Sequence, residues 1–283
     1  MKLRTLPIGV DVLDVDLAAG VERDGEALPI DELRSAFVDR SLLRFAGQKL
    51  SGEQQVAFVA RFGPLLAERR LWGYVSNVRD DGIVREGALL FHSDFAFTRM
   101  PVQAISLHAL EIPAAGAPTV FADARQAAAR LPADLRTRLA GRRVLNLYDF
   151  HAPGDQPMRR DTVRPGSPGF EHPILAPHPR TGEQVVMANQ MHSDSIVGLS
   201  GAESDALLRD LFAVLYDDSN VLRYDWSVGD LVLWDNIAVQ HGRPDFPVDE
   251  PRTLQRVVLG DYTPGELVPN LEQLLADRPG GHA

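Results

Sequence analysis

The chain has 283 residues and no cysteine. It can therefore form no disulfide, offers no thiolate nucleophile and cannot hold zinc or an iron–sulfur cluster through sulfur. Any metal ion would have to be held by histidine, aspartate or glutamate side chains.

Positive charge and long hydrophobic runs are also scarce. The 29 basic residues face 39 acidic ones, and the formal net charge of −10 opposes binding to nucleic acid or to an anionic membrane. The sequence contains no apolar run of 18 residues, and its first residues lack the apolar core of a signal peptide. We expect a cytoplasmic protein that acts on a small molecule, with a homo-oligomer left open.

What the sequence does contain is enough apolar residues, 45%, for a large core. Residues 29–40 have helical spacing, and capping boxes at Ser51 and Ser200 predict two further helix starts. Residues 123–141, rich in alanine, leucine and arginine, predict a pair of helices interrupted at Pro132. The rest is mostly short strand patterns, with a loop at 151–170 that is rich in proline and glycine. This organisation predicts one domain over residues 1–283, mainly β with flanking helices (α+β), built as a barrel or sandwich.

One apolar stretch, "GALLFHSDFAF", carries two polar groups, His92 and Asp94. In a strand, residues two apart face the same way, so the two side chains would project together while Phe91 and Phe95 pack on the other side. Buried polar groups need a partner that neutralises them, and a divalent metal ion would do so. We therefore interpret His92 and Asp94 as two ligands of a metal site.

The tripeptide HSD occurs a second time, at His192 and Asp194. This copy reads as a loop that leads to a helix cap, so its two side chains need not share a face. The strand context favours the first copy, because the spacing alone is weak. A facial triad would need one more histidine from a distant strand, and His241 follows the strongly β-like "LVLWDN". A core or surface role for His241 is the alternative.

Four segments in order, "FHSDFAF", "APTVFAD", "WSVGDLVLWDNIAVQHGRPDF" and "RTLQRVVLGD", resemble the taurine dioxygenase family of Fe(II)/2-oxoglutarate-dependent oxygenases. The resemblance reaches almost the whole chain. It implies a double-stranded β-helix, a cupin-like jelly-roll barrel, with N-terminal helices against one sheet. It also implies Fe(II), 2-oxoglutarate and O2 as cofactor and co-substrates, with His92, Asp94 and His241 as the metal ligands.

The same resemblance assigns 2-oxoglutarate binding to Arg252, eleven residues after the last metal histidine, with help from Thr119. A guanidinium is a permanently charged, bidentate partner for a carboxylate. Arg256 would lie on the same strand face and is expected to meet an acidic group of the organic substrate. Tyr74 and His192 are further candidates for the substrate wall, with ordinary packing as the alternative.

The resemblance implies hydroxylation of a small anionic substrate, with release of succinate and CO2. Desaturation, ring formation or epimerisation by the same chemistry stays open, as do a non-catalytic metal- and 2-oxoglutarate-binding barrel and a zinc hydrolase. Ala88 stands where enzymes that act on taurine carry asparagine, so we expect a substrate larger or more apolar than taurine, bearing a carboxylate, sulfonate or sulfate. Asp94 stands where the related halogenases carry a small residue, which disfavours halogenation.

Overall fold

The computed structural model describes residues 1–22, 28–66, 70–83, 86–268 and 270–276. The strands of these residues are β1 (Lys2–Thr5), β2 (Val10–Leu13), β3 (Leu42–Phe45), β4 (Gly73–Ser76), β5 (Gly82–Ile83), β6 (Leu89–His92), β7 (Ala104–Glu111), β8 (Thr119–Asp123), β9 (Arg143–Leu147), β10 (Gly169–Pro173), β11 (Leu175–Pro177), β12 (Gln184–Val186), β13 (Ser193–Ile196), β14 (Val221–Tyr224), β15 (Leu231–Asp235), β16 (Val239–Arg243) and β17 (Thr253–Leu259). The helices are α1 (Leu17–Glu22), α2 (Ile30–Arg40), α3 (Gly52–Val59), α4 (Ala124–Arg130), α5 (Ala133–Leu139), α6 (Gly201–Leu215), α7 (Pro264–Leu267) and α8 (Leu271–Ala276), with 3-10 turns at Ala60–Phe62 and Asp218–Asn220.

Two sheets form the body of the protein. The larger has the strand order β1-β2-β3-β15-β7-β17-β4-β5, and the smaller has the order β14-β8-β16-β6. Leu107 and Leu254 from the larger sheet pack with Phe121 and Val239 from the smaller in one buried core. The two-sheet, mainly antiparallel barrel with flanking helices confirms the predicted fold.

Strand β17 shows how the larger sheet divides its side chains between two cores. Leu254 and Val258 lie in the core between the sheets, whereas Val257 and Leu259 pack with the N-terminal helices on the outer face. Because side chains alternate along a strand, Arg256 faces the interior of the barrel. This alternation decides which polar residues of the sheet can reach the site.

Local sequence signals account for the helix boundaries. The side chains of Ser51 and Ser200 each accept a hydrogen bond from the backbone N–H three residues on, and the side chains of Gln54 and Glu203 accept one from the backbone N–H of that serine. Both predicted capping boxes are therefore confirmed. Proline at position 132 separates α4 from α5, as predicted, since its ring cannot continue a helix. No helix in the described part of the chain is long and apolar enough to cross a membrane.

Candidate active site

The two predicted metal histidines lie on neighbouring antiparallel strands of the smaller sheet. His92 ends β6, and His241 lies in the middle of β16, directly opposite it in the strand register. Directly opposite residues project from the same face of a sheet. Their ring centroids are 4.3 Å apart, so strand pairing alone brings together two residues that are 149 positions apart in sequence.

Asp94 joins them in a way that differs from the prediction. The strand ends at His92, and residues 94–97 form a turn in which Phe95 has φ = 61°. The expected alternation of one continuous strand therefore does not extend to Asp94, and the turn, not the pleat, brings its carboxylate back to His92. Left-handed backbone at a bulky residue is strained and persists where the surroundings hold it.

The three side chains have the arrangement of a facial metal site. Oδ1 of Asp94 lies 3.3 Å from Nε2 of His92 and 3.8 Å from Nε2 of His241, and the candidate ligand atoms all lie within 4.8 Å of one another. Adjacent ligands of an octahedral ion at about 2.1 Å are separated by about 3 Å, so only small movements would close the site. Two imidazoles and one carboxylate are the donor set of non-heme Fe(II) oxygenases.

The hydrogen bonding of the histidines suits metal binding. Nδ1 of His92 lies 2.8 Å from the carbonyl oxygen of Leu90, which leaves Nε2 as the nitrogen that faces Asp94. Burial, together with the nearby His92, lowers the pKa of His241 to about 3, so this imidazole is neutral at physiological pH. A neutral ring nitrogen is the form that binds a metal ion.

Arg256 reaches the site from the opposite sheet. Its Nη2 donates a hydrogen bond of 2.9 Å to Oδ2 of Asp94, so the other carboxylate oxygen faces the histidines. Burial acts to raise the pKa of Asp94, but the adjacent His92 and the charge of Arg256 outweigh it and hold that pKa well below its usual range. The carboxylate is therefore ionised and oriented before any metal binds.

The second HSD copy is adjacent to the site, and its two members point to different partners. His192 is followed by the short strand β13 and not by a loop, and β13 has a register irregularity between Ser193 and Ser195. Asp194 accepts a hydrogen bond of 2.8 Å from the backbone N–H of Arg160, while its own carbonyl accepts one from Arg159. Asp194 thus anchors the 151–170 segment.

His192 itself is buried beside the candidate metal site. Its ring is steeply inclined to those of His92, at 5.7 Å between centroids, and of Phe97 and Tyr148, both at 5.4 Å. Nδ1 of His192 is buried and has no hydrogen-bond partner among the described residues. Burial and the neighbouring His92 lower the pKa of His192 well below its usual value, so the ring is neutral. An unpaired buried nitrogen in an aromatic setting is a candidate ligand contact.

Arg252 and Thr119, the predicted co-substrate residues, are both buried. Nε of Arg252 has no hydrogen-bond partner among the described residues, and the guanidinium lies 5.4 Å from the ring centre of Phe246. Burial and the nearby Arg243 lower the pKa of Arg252 to about 9, which still leaves it charged at neutral pH. Oγ1 of Thr119 accepts a hydrogen bond of 3.0 Å from the indole of Trp226. A buried guanidinium with an unpaired nitrogen fits a carboxylate ligand.

Tyr74 is the predicted substrate residue that the structure does not bring to the site. It pairs with Gln255 in the strand register, so it shares the face of Gln255, whose amide bonds Gln55 in α3. The hydroxyl of Tyr74 accepts a hydrogen bond of 3.3 Å from Trp72, which packs with the helices. The prediction is corrected on this point, because the alternation of β4 directs Tyr74 away from the barrel interior.

Sequence reasoning missed Asn236, whose side chain holds the backbone of Asp94. Its local signal was its position in "LVLWDN", between strand β15 and the candidate ligand His241. It also missed Phe97 and Tyr148 as neighbours of His192, since no local pattern relates residues 44 to 95 positions apart.

Comparison with known proteins identifies the family. The family model described as taurine catabolism dioxygenase TauD, TfdA family matches residues 2–258. The chain belongs to this family. TauD/TfdA members are 2-oxoglutarate-dependent dioxygenases that use Fe(II), 2-oxoglutarate and O2, so the prediction of an oxidoreductase with these requirements is confirmed.

Two characterised TauD/TfdA relatives cover nearly the whole chain. The (S)-phenoxypropionate/alpha-ketoglutarate-dioxygenase of Sphingobium herbicidovorans is 32% identical over 268 residues, which span 87% of this chain and 88% of the relative. The alpha-ketoglutarate-dependent 2,4-dichlorophenoxyacetate dioxygenase of Cupriavidus pinatubonensis is 29% identical, spanning 89% and 94%. A putative taurine dioxygenase from Burkholderia xenovorans superimposes with a TM-score of 0.75 at 27% identity, over 91% of this chain and 92% of that structure.

Proposed function

We propose that this TauD/TfdA dioxygenase hydroxylates a small organic anion with an aromatic or bulky apolar body, and that residues 1–283 act as one catalytic domain. The observation that carries the proposal is the His92, Asp94 and His241 group with Arg256 bonded to it from the opposite sheet. A cationic side chain beside an oxidising centre would draw the acidic end of a substrate to the reacting position.

His92, Asp94 and His241 would hold Fe(II), which, with 2-oxoglutarate and O2, supplies the oxidant for a substrate carbon–hydrogen bond and yields succinate and CO2. Arg252, with Thr119, would bind the distal carboxylate of 2-oxoglutarate, because its buried charge is stabilised by an anion. Arg256 would both orient Asp94 and bind the substrate anion, since a guanidinium can donate to more than one acceptor at once.

The aromatic residues beside the site support the choice of substrate class. Phe97 stacks on Tyr148 at 4.7 Å between centroids, and Phe150 packs against both rings. This wall meets His192, whose unpaired Nδ1 could bond an ether or ester oxygen of the substrate. The relatives described above are named for phenoxypropionate and 2,4-dichlorophenoxyacetate, and both of these compounds combine a carboxylate with an aromatic ring.

Coupled succinate release tests the proposal. Purified protein with Fe(II) and 2-oxoglutarate is offered aryloxyalkanoic acids, alkyl sulfates and taurine, because a relative from Pseudomonas putida is named for sulfate esters. We expect turnover to be fastest with an aryloxy acid and slow with taurine. Succinate release that no substrate stimulates would favour a non-catalytic binding barrel, and substrate cleavage without oxygen would favour a hydrolase. Location in the cytoplasm and the oligomeric state stay predictions.

A further inference from the structure

The side chain of Asn236 is fully buried, and its amide forms three hydrogen bonds with backbone groups of Asp94 and Val102. Its Oδ1 accepts a hydrogen bond of 2.8 Å from the backbone N–H of Asp94. Its Nδ2 donates to the carbonyl oxygens of Asp94, at 3.0 Å, and of Val102, at 2.9 Å. The primary amide thus pairs with Asp94 as a neighbouring strand would.

This pairing acts where the chain has left its strand. Asp94 follows the last residue of β6, and Phe95 then adopts φ = 61°, a conformation that a bulky side chain avoids. No neighbouring strand is assigned to residues 94–97, which form a turn. Backbone bonds from Ala96 to Ser93, at 3.2 Å, and from Thr98 to Phe95, at 2.9 Å, hold the later part of the turn. The amide of Asn236 bonds both backbone groups of Asp94, whose carbonyl also accepts a 3.4 Å bond from the N–H of Val102, while Arg256 bonds the carboxylate.

Asn236 is itself held firmly. It lies between β15 and β16, and its backbone N–H donates to the carbonyl of Gln103 at 3.1 Å. The preceding Asp235 accepts hydrogen bonds from the backbone N–H groups of Ile237 and Ala238 and forms an ion pair with Arg180. The same turn leads within five residues to His241. One rigid turn thus connects to two of the three candidate ligands.

We propose that Asn236 is a positioning residue of the metal centre: its amide fixes the backbone of Asp94 relative to the strand of His241, so that the three donor atoms converge before metal binds. This inference depends on the proposed metal role of His92, Asp94 and His241. Removing the amide would leave the fold in place but let the turn move, and the site would lose preorganisation.

The test compares Asn236→Ala with Asn220→Ala, a matched control. Asn220 is also buried, and its amide donates to two backbone carbonyls, those of Asp123 and Leu215, away from the site. Oδ1 of Asn220 has no hydrogen-bond partner among the described residues, so the control matches Asn236 in its two donated bonds. Both variants lose a buried amide that donates to two backbone carbonyls and should have a lower melting temperature without metal. Mn(II) binding is then measured by calorimetry, and the rise in melting temperature on adding Mn(II) is measured for each protein.

We expect Asn236→Ala to bind Mn(II) about tenfold to a hundredfold more weakly than the wild type and to lose much of the metal-induced rise in melting temperature. Asn220→Ala should keep wild-type affinity. Asn236→Asp keeps the size and the acceptor but loses both donated bonds, so it should also bind Mn(II) more weakly. This variant replaces Asn236→Ala in the test if the alanine variant does not fold. Wild-type affinity in both Asn236 variants, or equal losses at Asn236 and Asn220, would overturn the inference. A wild type that binds no Mn(II) would instead refute the proposed metal site.

Discussion

Arg256 and Asp94 are joined across the barrel: Nη2 of the arginine, on the larger sheet, donates to Oδ2 of the aspartate, beside the smaller sheet, at 2.9 Å. Both side chains are largely buried, with 10% and 21% of their surfaces exposed. The pair links the candidate metal ligand to the residue proposed to bind the substrate anion. One guanidinium can therefore influence both metal affinity and substrate choice.

Replacing Arg256 with glutamine should affect these two properties together. The variant loses the charge-assisted hydrogen bond that orients the Asp94 carboxylate, so Mn(II) affinity should fall, by roughly tenfold. Turnover of the best acidic substrate should fall further than that of its methyl ester, because only the acid loses an ion pair. Succinate release with acid and ester, in the variant and the wild type, measures the difference. Equal wild-type turnover of acid and ester would exclude anion recognition and leave the oxygenase activity intact.

His241→Ala should abolish stoichiometric metal binding, whereas His192→Ala should leave it nearly intact. The reason is geometric: Nε2 of His241 lies 3.8 Å from the carboxylate, whereas the donor atoms that lie within 4.8 Å of one another belong to His92, Asp94 and His241 and not to His192. Metal content after dialysis and circular dichroism of both variants test this. Equal metal loss in the two variants, with both folded, would contradict the assignment of the ligands.

Arg252→Ala should weaken 2-oxoglutarate binding about a hundredfold, since a charge-assisted bidentate bond in a buried site is lost. Arg252→Lys keeps the charge but lacks the planar guanidinium, so its affinity for 2-oxoglutarate should lie between those of the wild type and Arg252→Ala. Thr119→Val removes one neutral hydrogen bond and should lower the affinity for 2-oxoglutarate by about tenfold or less. Titration of 2-oxoglutarate into Mn(II)-loaded proteins gives these affinities. An unchanged affinity for 2-oxoglutarate in Arg252→Ala would show that Arg252 does not bind its carboxylate.

Stability should fall in mild acid because two buried histidines far from the metal ligands in sequence are neutral. Burial lowers the pKa of His108 and of His172 below the ordinary 6.5, so the unfolded chain binds more protons than the folded one below that pH. The free energy of unfolding is thus fully retained above about pH 6.5 and decreases as the pH falls, by up to roughly 1.4 kcal/mol per pH unit for each histidine.

Urea denaturation of the metal-free protein between pH 7.5 and 5 measures this slope. His172→Gln can still donate to the carbonyl of Thr98, which His172 contacts at 2.8 Å, but glutamine does not titrate. The variant should show a shallower dependence on pH than the wild type. Parallel curves for the two proteins would show that His172 does not contribute.

Short-range patterns in the sequence determined much of this protein. The capping boxes at Ser51 and Ser200 and the break at Pro132 lie where predicted, because each depends on bonds or clashes within four residues. The strand patterns and the ordered family motifs likewise indicated a barrel and named His92, Asp94 and His241, which the structure brings together.

Only the tertiary structure decided how those residues meet. That Asp94 lies in a turn, that Asn236 holds this turn and that Tyr74 faces the helices all depend on strand pairing and on contacts between residues far apart in sequence. Periodicity predicts that side chains alternate along a strand, but it does not show where the strand ends or which of its faces is covered. Strand register and packing set both, and they are properties of the whole fold.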